Sequence, residues 1–302
     1  MGKQEIGFIN TKSLGKPLED AWYKSMRERQ AFKCLVGKFD KPIIKSYKIS
    51  LCTTCMDRLD NLKQTLPQNI KDNLDYDNVE FVILDYNSNK DDIGSWIKSE
   101  MMPEIESGKL VYLRTEEPKY FDMSRSRNIA FLAASGDIVN NIDADSFTPP
   151  GKDGGFAAYI NKAANQLPRK AIFAKSRQLL RGRLGFFKDE FIYILGGYDE
   201  ETLTGGYGHD DGNLINRAWE LGFTMISYHG EFVGIVPNHI KHQEGNYREK
   251  WWRTEGKNRL ISYTNLITSK FVANTNIVWG KATIIKNFTE EIKVGTKGKN
   301  MT

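Results

Sequence analysis

Two acidic clusters carry the chemistry this chain could do: Asp143-Ala144-Asp145 follows an apolar run, and Asp210-Asp211 follows a glycine-rich stretch further along. Asp143 and Asp145 stand at i and i+2 beyond Ile138-Val139-Asn140-Asn141-Ile142. A strand over that run would project both carboxylates from one face of its carboxyl end, where open α/β sheets bind ligands. Hard divalent cations prefer oxygen donors, and Mg²⁺ is usually held by one or two protein carboxylates together with substrate phosphates. The first cluster therefore reads as a metal-diphosphate site, and the second as a catalytic base facing it.

Isolated Asp-x-Asp triplets are common surface features, and Asp210-Asp211 could simply cap a helix. The elements around them give the motifs their weight. Ile49 to Thr53 reads as a first strand, Asp57 as the cap of a helix through Asn73, and Val79 to Leu84 as a buried second strand. A helix over Asp92 to Met101, a strand over Leu110 to Leu113, a helix over Ser124 to Ala134 and a strand over Asp137 to Ile142 follow. This alternation predicts an α/β fold with a mainly parallel, doubly wound sheet. In the second half, helices are expected over Phe156 to Ala164, Glu190 to Leu195, Gly212 to Leu221 and Arg248 to Thr264. A strand over Ala171 to Ala174 and a lysine-rich, β-rich tail from Phe271 complete the reading.

A chain of 302 residues, 40% hydrophobic and 27% charged, excludes disordered and fibrous classes. No apolar stretch approaches the roughly 20 residues of a membrane span and Met1 to Glu5 lacks a signal-peptide core, so the expected compartment is cytoplasmic. Three cysteines make no disulfide framework, which leaves the sequon at Asn287 idle. Cys52-Thr53-Thr54-Cys55 is also a redox spacing, but that reading explains neither acidic cluster. No second cysteine pair or suitably spaced histidine completes a zinc site. The net charge of +5 suits an anionic substrate or a nucleic-acid acceptor without choosing between them.

Four blocks in order resemble the GT-A glycosyltransferases, especially family 2 and the related galactosyl- and N-acetylgalactosaminyl-transferases, over roughly residues 48 to 245. Residues 49 to 58 are similar to the opening strand and loop of the nucleotide half, with Thr54 where the family places a hydroxyl near uracil. Phe81 to Ser88 is similar to the strand ending in paired aspartates; Asp85 is kept, and Tyr86 stands in place of the second, which often reads the uracil edge. Ser126-Arg127-Asn128, Gly136-Asp137 and Asp143-Ala144-Asp145 form the third block. The fourth is Gly196 to Glu200 with Gly205 to Asp211, and Arg217 beyond.

The resemblance implies that Asp143 contacts ribose or a metal-bound water, Asp145 binds Mn²⁺ or Mg²⁺, and Arg127 contacts the nucleotide or its diphosphate. Aligning on Arg217 sets Asp210 where the family has glutamate and Asp211 where it has the catalytic aspartate. His242, with His239 as competitor, is similar to a histidine that relatives supply as a further metal ligand. Residues 1–46 then read as an N-terminal extension, 47–245 as the GT-A catalytic domain and 246–302 as a C-terminal helix and β-rich tail packed on the core.

The implied activity is metal-dependent, inverting transfer from a nucleotide-diphosphate sugar, a UDP-sugar, to an acceptor hydroxyl with Asp211 as general base. The acceptor is a glycan, a lipid-linked glycan or, with the same chemistry, a hydroxymethylated base of modified phage DNA. A non-catalytic glycan-binding or nucleotide-sugar-binding protein is the reading from another class. Tyr198 and Tyr207 suit stacking on sugar rings, and Tyr247 to Arg253 suits a lid or an acceptor platform.

Overall fold

The computed structural model describes residues 15–29, 34–36, 39, 41–148, 155–174, 183–227 and 245–301. Its elements in chain order begin with α1 (Lys16–Glu28), β1 (Cys34–Val36), β2 (Ile49–Cys55), α2 (Leu59–Lys71), β3 (Val79–Tyr86), α3 (Ile93–Glu100) and α4 (Met102–Glu106). Next come β4 (Leu110–Thr115), α5 (Met123–Ala133), β5 (Ile138–Asn141), α6 (Phe156–Ala164), β6 (Ala171–Ala174) and β7 (Gly185–Phe187). A π-helical turn over Glu190–Leu195, α7 (Asp210–Glu220), β8 (Thr224–Ser227), α8 (Trp251–Ile267), β9 (Val278–Lys286) and β10 (Glu290–Lys297) complete the series.

Among the described residues the strands form one sheet in the order β1-β8-β6-β7-β5-β2-β3-β4-β9-β10. Strands β5, β2, β3 and β4 are mutually parallel, while β7 and β9 pair antiparallel at either side of them. The chain order reverses at β2, between β3 and β5, which opens a crevice at the carboxyl ends. Strand β3 is buried on both faces, which explains the apolar run Phe81 to Leu84 at its centre. Val82, Leu84 and Tyr86 join a core containing Phe131, Leu214 and Trp279, whereas Val79, Phe81 and Ile83 join Leu62, Leu66 and Ile160 on the other face.

Both ends of the described chain join this body. The β9–β10 hairpin extends the sheet beyond β4, and Asn287 at its turn exchanges bonds with Tyr112, whose carbonyl accepts from Asn287 N at 2.8 Å and whose N donates to Asn287 Oδ1 at 2.9 Å. The pairing of β10 is irregular between Val294 and Thr296, around Gly295. Helix α1 buries Trp22 and Met26 and ties to α7 through Trp22 Nε1, which donates to Glu220 at 2.7 Å. No helix among the described residues is long and apolar enough to cross a membrane.

Several expectations shift. Asp57 does not cap α2: it sits at φ 55 and its carboxylate accepts from Asn89 N and Lys90 N, both at 2.8 Å. Asp91 caps the helix instead, accepting from Leu59 N at 2.8 Å. Cys52 and Cys55 are buried and belong to opposite faces of β2, and burial pushes both thiols well above their ordinary values. A redox pair needs the reverse.

Candidate active site

Asp122 caps α5, accepting from Arg125 N at 3.0 Å, and so sets Arg127 one turn into the helix. The Arg127 side chain is only 2% exposed. Its Nη1 donates to Asp211 Oδ1 at 2.8 Å and to Asp210 Oδ2 in a shorter contact, and its Nη2 lies 3.5 Å from Asp143 Oδ1. Burial opposes the guanidinium charge, but Asp211 and Asp210 outweigh it and raise the pKa well above its usual value. One positive charge among three carboxylates leaves the hub with negative charge in excess. The ring of Tyr198 lies 5.4 Å from the same guanidinium.

The hub draws on distant stretches of chain. Asp210 and Asp211 occupy the first turn of α7, which begins two residues earlier than the sequence suggested. Negative charge at a helix N-terminus is favoured by the unpaired N–H groups there. Asp143 follows β5, and its Oδ1 also accepts from Asn141 Nδ2 at 2.9 Å. Facing β5, Gly185 pairs with Asn140; a Cβ there would come within 2.1 Å of Asn140 Oδ1, so only glycine lets the two strands close.

Helix α2 grips the turn that carries Asp145. Thr65 Oγ1 donates to Ala144 O at 2.7 Å, Asn69 Nδ2 to Ser146 O at 3.0 Å, and Asn73 Nδ2 to Thr148 Oγ1 at 2.9 Å. Arg183 adds two bonds to Ser146 Oγ at 3.1 and 2.8 Å. Asp145 itself is half-buried and accepts from Ser146 Oγ at 3.4 Å. These supporting residues escaped the sequence reading, although Thr65 and Asn69 on α2 and Asn73 just beyond it recur every four residues.

Thr54, the penultimate residue of β2, is joined to α5 by Ser126 Oγ at 3.3 Å. Asp85 lies apart from the hub. It is fully buried, its Oδ2 accepting from Arg114 Nη1 at 2.6 Å and the Tyr112 hydroxyl at 2.9 Å, its Oδ1 from Ser88 N at 2.8 Å. Tyr86 points to the opposite face and meets Phe121 edge-on at 5.7 Å. A cavity of 480 Å³ lies beyond Asp85, lined by Lys90, Lys98, Arg114 and Phe288 among others, and none of its lining residues belongs to the Arg127 hub.

The loop before α7 is held from two sides. Arg217 Nη1 and Nη2 donate to Leu195 O and Gly197 O, both at 2.7 Å. From α8, Thr254 Oγ1 donates to Tyr207 O at 2.7 Å and Asn258 Nδ2 to Gly208 O at 3.0 Å, while Asn258 Oδ1 accepts from Thr204 N at 3.0 Å. Asn265 Nδ2 reaches Thr202 Oγ1 at 2.8 Å. Gly197, at φ 74, sits so close to Trp279 that a Cβ would meet its ring at 2.5 Å. Tyr198 is sealed in the core against Phe131 and Phe191 and offers no face to a sugar, contrary to expectation. Tyr207 does stand at the site's margin, in contact with Tyr247 at 5.6 Å and Trp251 at 6.3 Å; Trp251 is 42% exposed.

Among the described residues no group of three or more histidine, cysteine or acidic side chains could hold a metal ion. His239 and His242 lie outside the described residues. The two half-buried carboxylates at Asp143 and Asp145 nonetheless suit a hard cation that completes its shell with substrate phosphates.

The sequence model of glycosyl transferase family 2 matches residues 50–220, from β2 through the hub to the end of α7. This chain belongs to glycosyl transferase family 2. Among curated proteins, none matches it in sequence. Of solved structures, a mannosyltransferase from Pyrobaculum calidifontis, in complex with GDP-Man and Mn²⁺, is 16% identical with a TM-score of 0.50, the match covering 86% of each chain. GalNAc-T7, solved with UDP, GalNAc and Mn²⁺, is 16% identical with a TM-score of 0.50; the match covers 69% of this chain and 47% of that one. At such identities the likeness speaks for the fold: this family 2 glycosyltransferase has the GT-A arrangement.

Proposed function

We propose that this glycosyltransferase catalyses metal-dependent, inverting transfer from a nucleotide-diphosphate sugar, with uridine as the nucleoside, to an acceptor hydroxyl. The observation that carries the reading is the hub, where one buried arginine gathers Asp143, Asp210 and Asp211 at the switch point of the sheet. Two solved structures of similar fold were captured with GDP-Man or UDP and with Mn²⁺. Asp145, with Asp143 beside it and His242 as a further ligand, would hold Mn²⁺ or Mg²⁺, which when bound supplies charge stabilisation to the departing diphosphate.

The remaining chemistry belongs to the chain. Asp211 accepts the proton of the acceptor hydroxyl as its oxygen bonds to the anomeric carbon, and the bond from that carbon to the diphosphate oxygen breaks on the opposite face. The single displacement inverts the anomeric centre. Arg127 orients Asp211 and keeps its charge compensated, with Asp210 as the second anchor of the guanidinium. Thr54 contacts the nucleoside. Asp85 positions it indirectly, by fixing the turn at Ser88. Tyr207 and Trp251 present aromatic faces for a glycan or lipid-linked glycan acceptor.

The test is thermal stabilisation of the native chain and Asp145→Ala by a panel of nucleoside diphosphates and their sugars, with Mn²⁺ or with EDTA. Metal-dependent stabilisation by uridine compounds, lost in the variant, supports the reading. Equal stabilisation with EDTA removes the metal from it, and preference for GDP-sugars replaces the nucleoside.

A further inference from the structure

On α7, Gly212, Ile215, Asn216 and Trp219 recur at helical spacing as one stripe, opposite the stripe of Asp210, Leu214 and Arg217 that faces the hub and the core. Between that stripe, α1 and α8 lies a cavity of 280 Å³. Three of its walls are aromatic and come from three helices: Tyr23, Trp219 and Tyr263. The centroids of Tyr23 and Tyr263 are 6.4 Å apart. The groups between the rings are polar. The Tyr263 hydroxyl donates to Glu19 Oε1 at 3.3 Å and accepts from Asn216 Nδ2 at 3.3 Å, and Arg259 lines the same space.

His209, the residue before Asp210, closes the cavity with its ring 5.4 Å from Tyr263. Its Nε2 is buried without a hydrogen-bond partner, a rare condition in folded chains. Burial lowers its pKa to about 4, so the imidazole there is neutral, able to donate at one nitrogen and accept at the other.

The lining discriminates among ligand classes. A purely apolar molecule would leave His209 Nε2 unpartnered and strip water from the carboxylate and amide that bracket the Tyr263 hydroxyl, at a cost for each. A simple anion would meet the Glu19 carboxylate, and a simple cation would meet Arg259. A pyranose answers both parts of the wall, with C–H faces for the rings and hydroxyls that donate and accept for the carboxylate, amide and imidazole. The volume lies just under the roughly 300–1,000 Å³ of pockets for drug-sized ligands, which fits one ring and excludes a nucleotide. We infer that this cavity is a second saccharide site, binding one pyranose residue on the side of α7 away from the Arg127 hub.

The inference does not rest on the catalytic reading, and one titration separates them. The full chain is titrated with glucose, galactose, N-acetylglucosamine and, as a cationic aromatic control, tryptamine, with and without saturating UDP and Mn²⁺. Titration calorimetry reports binding, and Glu19→Gln, Tyr23→Ala and Asp145→Ala are run in parallel. The expected result is saturable binding of at least one pyranose, unaffected by UDP and by Asp145→Ala, and weakened about tenfold or more by Glu19→Gln and Tyr23→Ala. Glu19→Gln preserves shape, so it decides the matter if Tyr23→Ala loosens α1. No saturation by any pyranose, binding that survives both cavity variants, competition by UDP, or binding of tryptamine alone overturns it. Saccharide binding in a protein whose thermal stability no nucleoside diphosphate raises, with Mn²⁺ or without, leaves this site standing and sinks the donor assignment.

Discussion

Asp85 and Asp143 both stand at the carboxyl end of parallel strands flanking β2, yet their surroundings differ in kind. Asp85 has a phenol and a backbone N–H, a guanidinium whose other carboxylate partner is the exposed Glu116, and no solvent. Asp143 shares one guanidinium with two other carboxylates and remains 30% exposed. The lesson is one of stoichiometry. An acid matched by its own donors is spent on the fold, whereas acids that outnumber their cation keep negative charge available to a metal or a proton.

The sharpest way to break this comparison is at the hub. Asp211→Asn should lower turnover by roughly 10²–10⁴-fold while leaving nucleotide affinity unchanged, as steady-state kinetics and calorimetry would show. A larger loss from Asp210→Asn would exchange the two roles.

Next in size is Asp85→Ala, which strands Arg114 and the Tyr112 hydroxyl. It should cost about 3 kcal/mol in urea unfolding, less than a fully buried pair because Arg114 is 30% exposed. Asp143→Ala should cost under about 1 kcal/mol and instead weaken metal-dependent donor binding about tenfold. If Asp143→Ala destabilises more than Asp85→Ala, the contrast is wrong.

Glu200 extends the comparison to pH. Burial pushes its carboxyl from 4.5 up to about 7, although Asn128 Nδ2 and Gly280 N both donate to its Oε1. A raised folded-state pKa contributes stability below about pH 4.5 that is lost as pH rises through 7. His209, lowered from 6.5 to about 4, contributes the opposite slope: its share is present above pH 6.5 and lost as pH falls through 4. Glu200→Gln keeps the accepting oxygen and removes the titration. Stability measured from pH 4.5 to 7 should then rise with pH, diverging from the native chain by about 2 kcal/mol across the window. Parallel curves would dismiss the Glu200 effect.

A more local change is Asn258→Ala, which releases the Gly208 carbonyl and the Thr204 N–H. It should cost about 1–2 kcal/mol by thermal unfolding. An unchanged melting temperature would show that α8 does not hold the loop.

Where periodicity was strong, sequence and structure coincide: Phe156–Ala164 and Ala171–Ala174 have the same bounds in both, and β3 differs only at its end. Three-residue β1 and β7 carry too little pattern to read, and α1 buries just Trp22 and Met26. The acids at Asp143, Asp210 and Asp211 were legible as types and spacing. Their common partner was not, because Arg127 joins them across 16, 83 and 84 residues of chain. The cap of α2 was misplaced for the same reason, since Asp91 acts across 32 residues. Tyr198 misled because a tyrosine beside glycines looks exposed until Phe131 and Phe191 close over it.

The hairpin at the end of the sheet bears on how copies of this chain meet. Among the described residues strand β10 is the last in the order and presents an open row of backbone groups. Such rows recruit strands from other molecules unless something interrupts them. Here Glu290, Glu291, Lys293 and Lys297 place charge along the row, and the irregularity around Gly295 breaks its flatness. A sheet this wide can thus end in water without seeding fibrils.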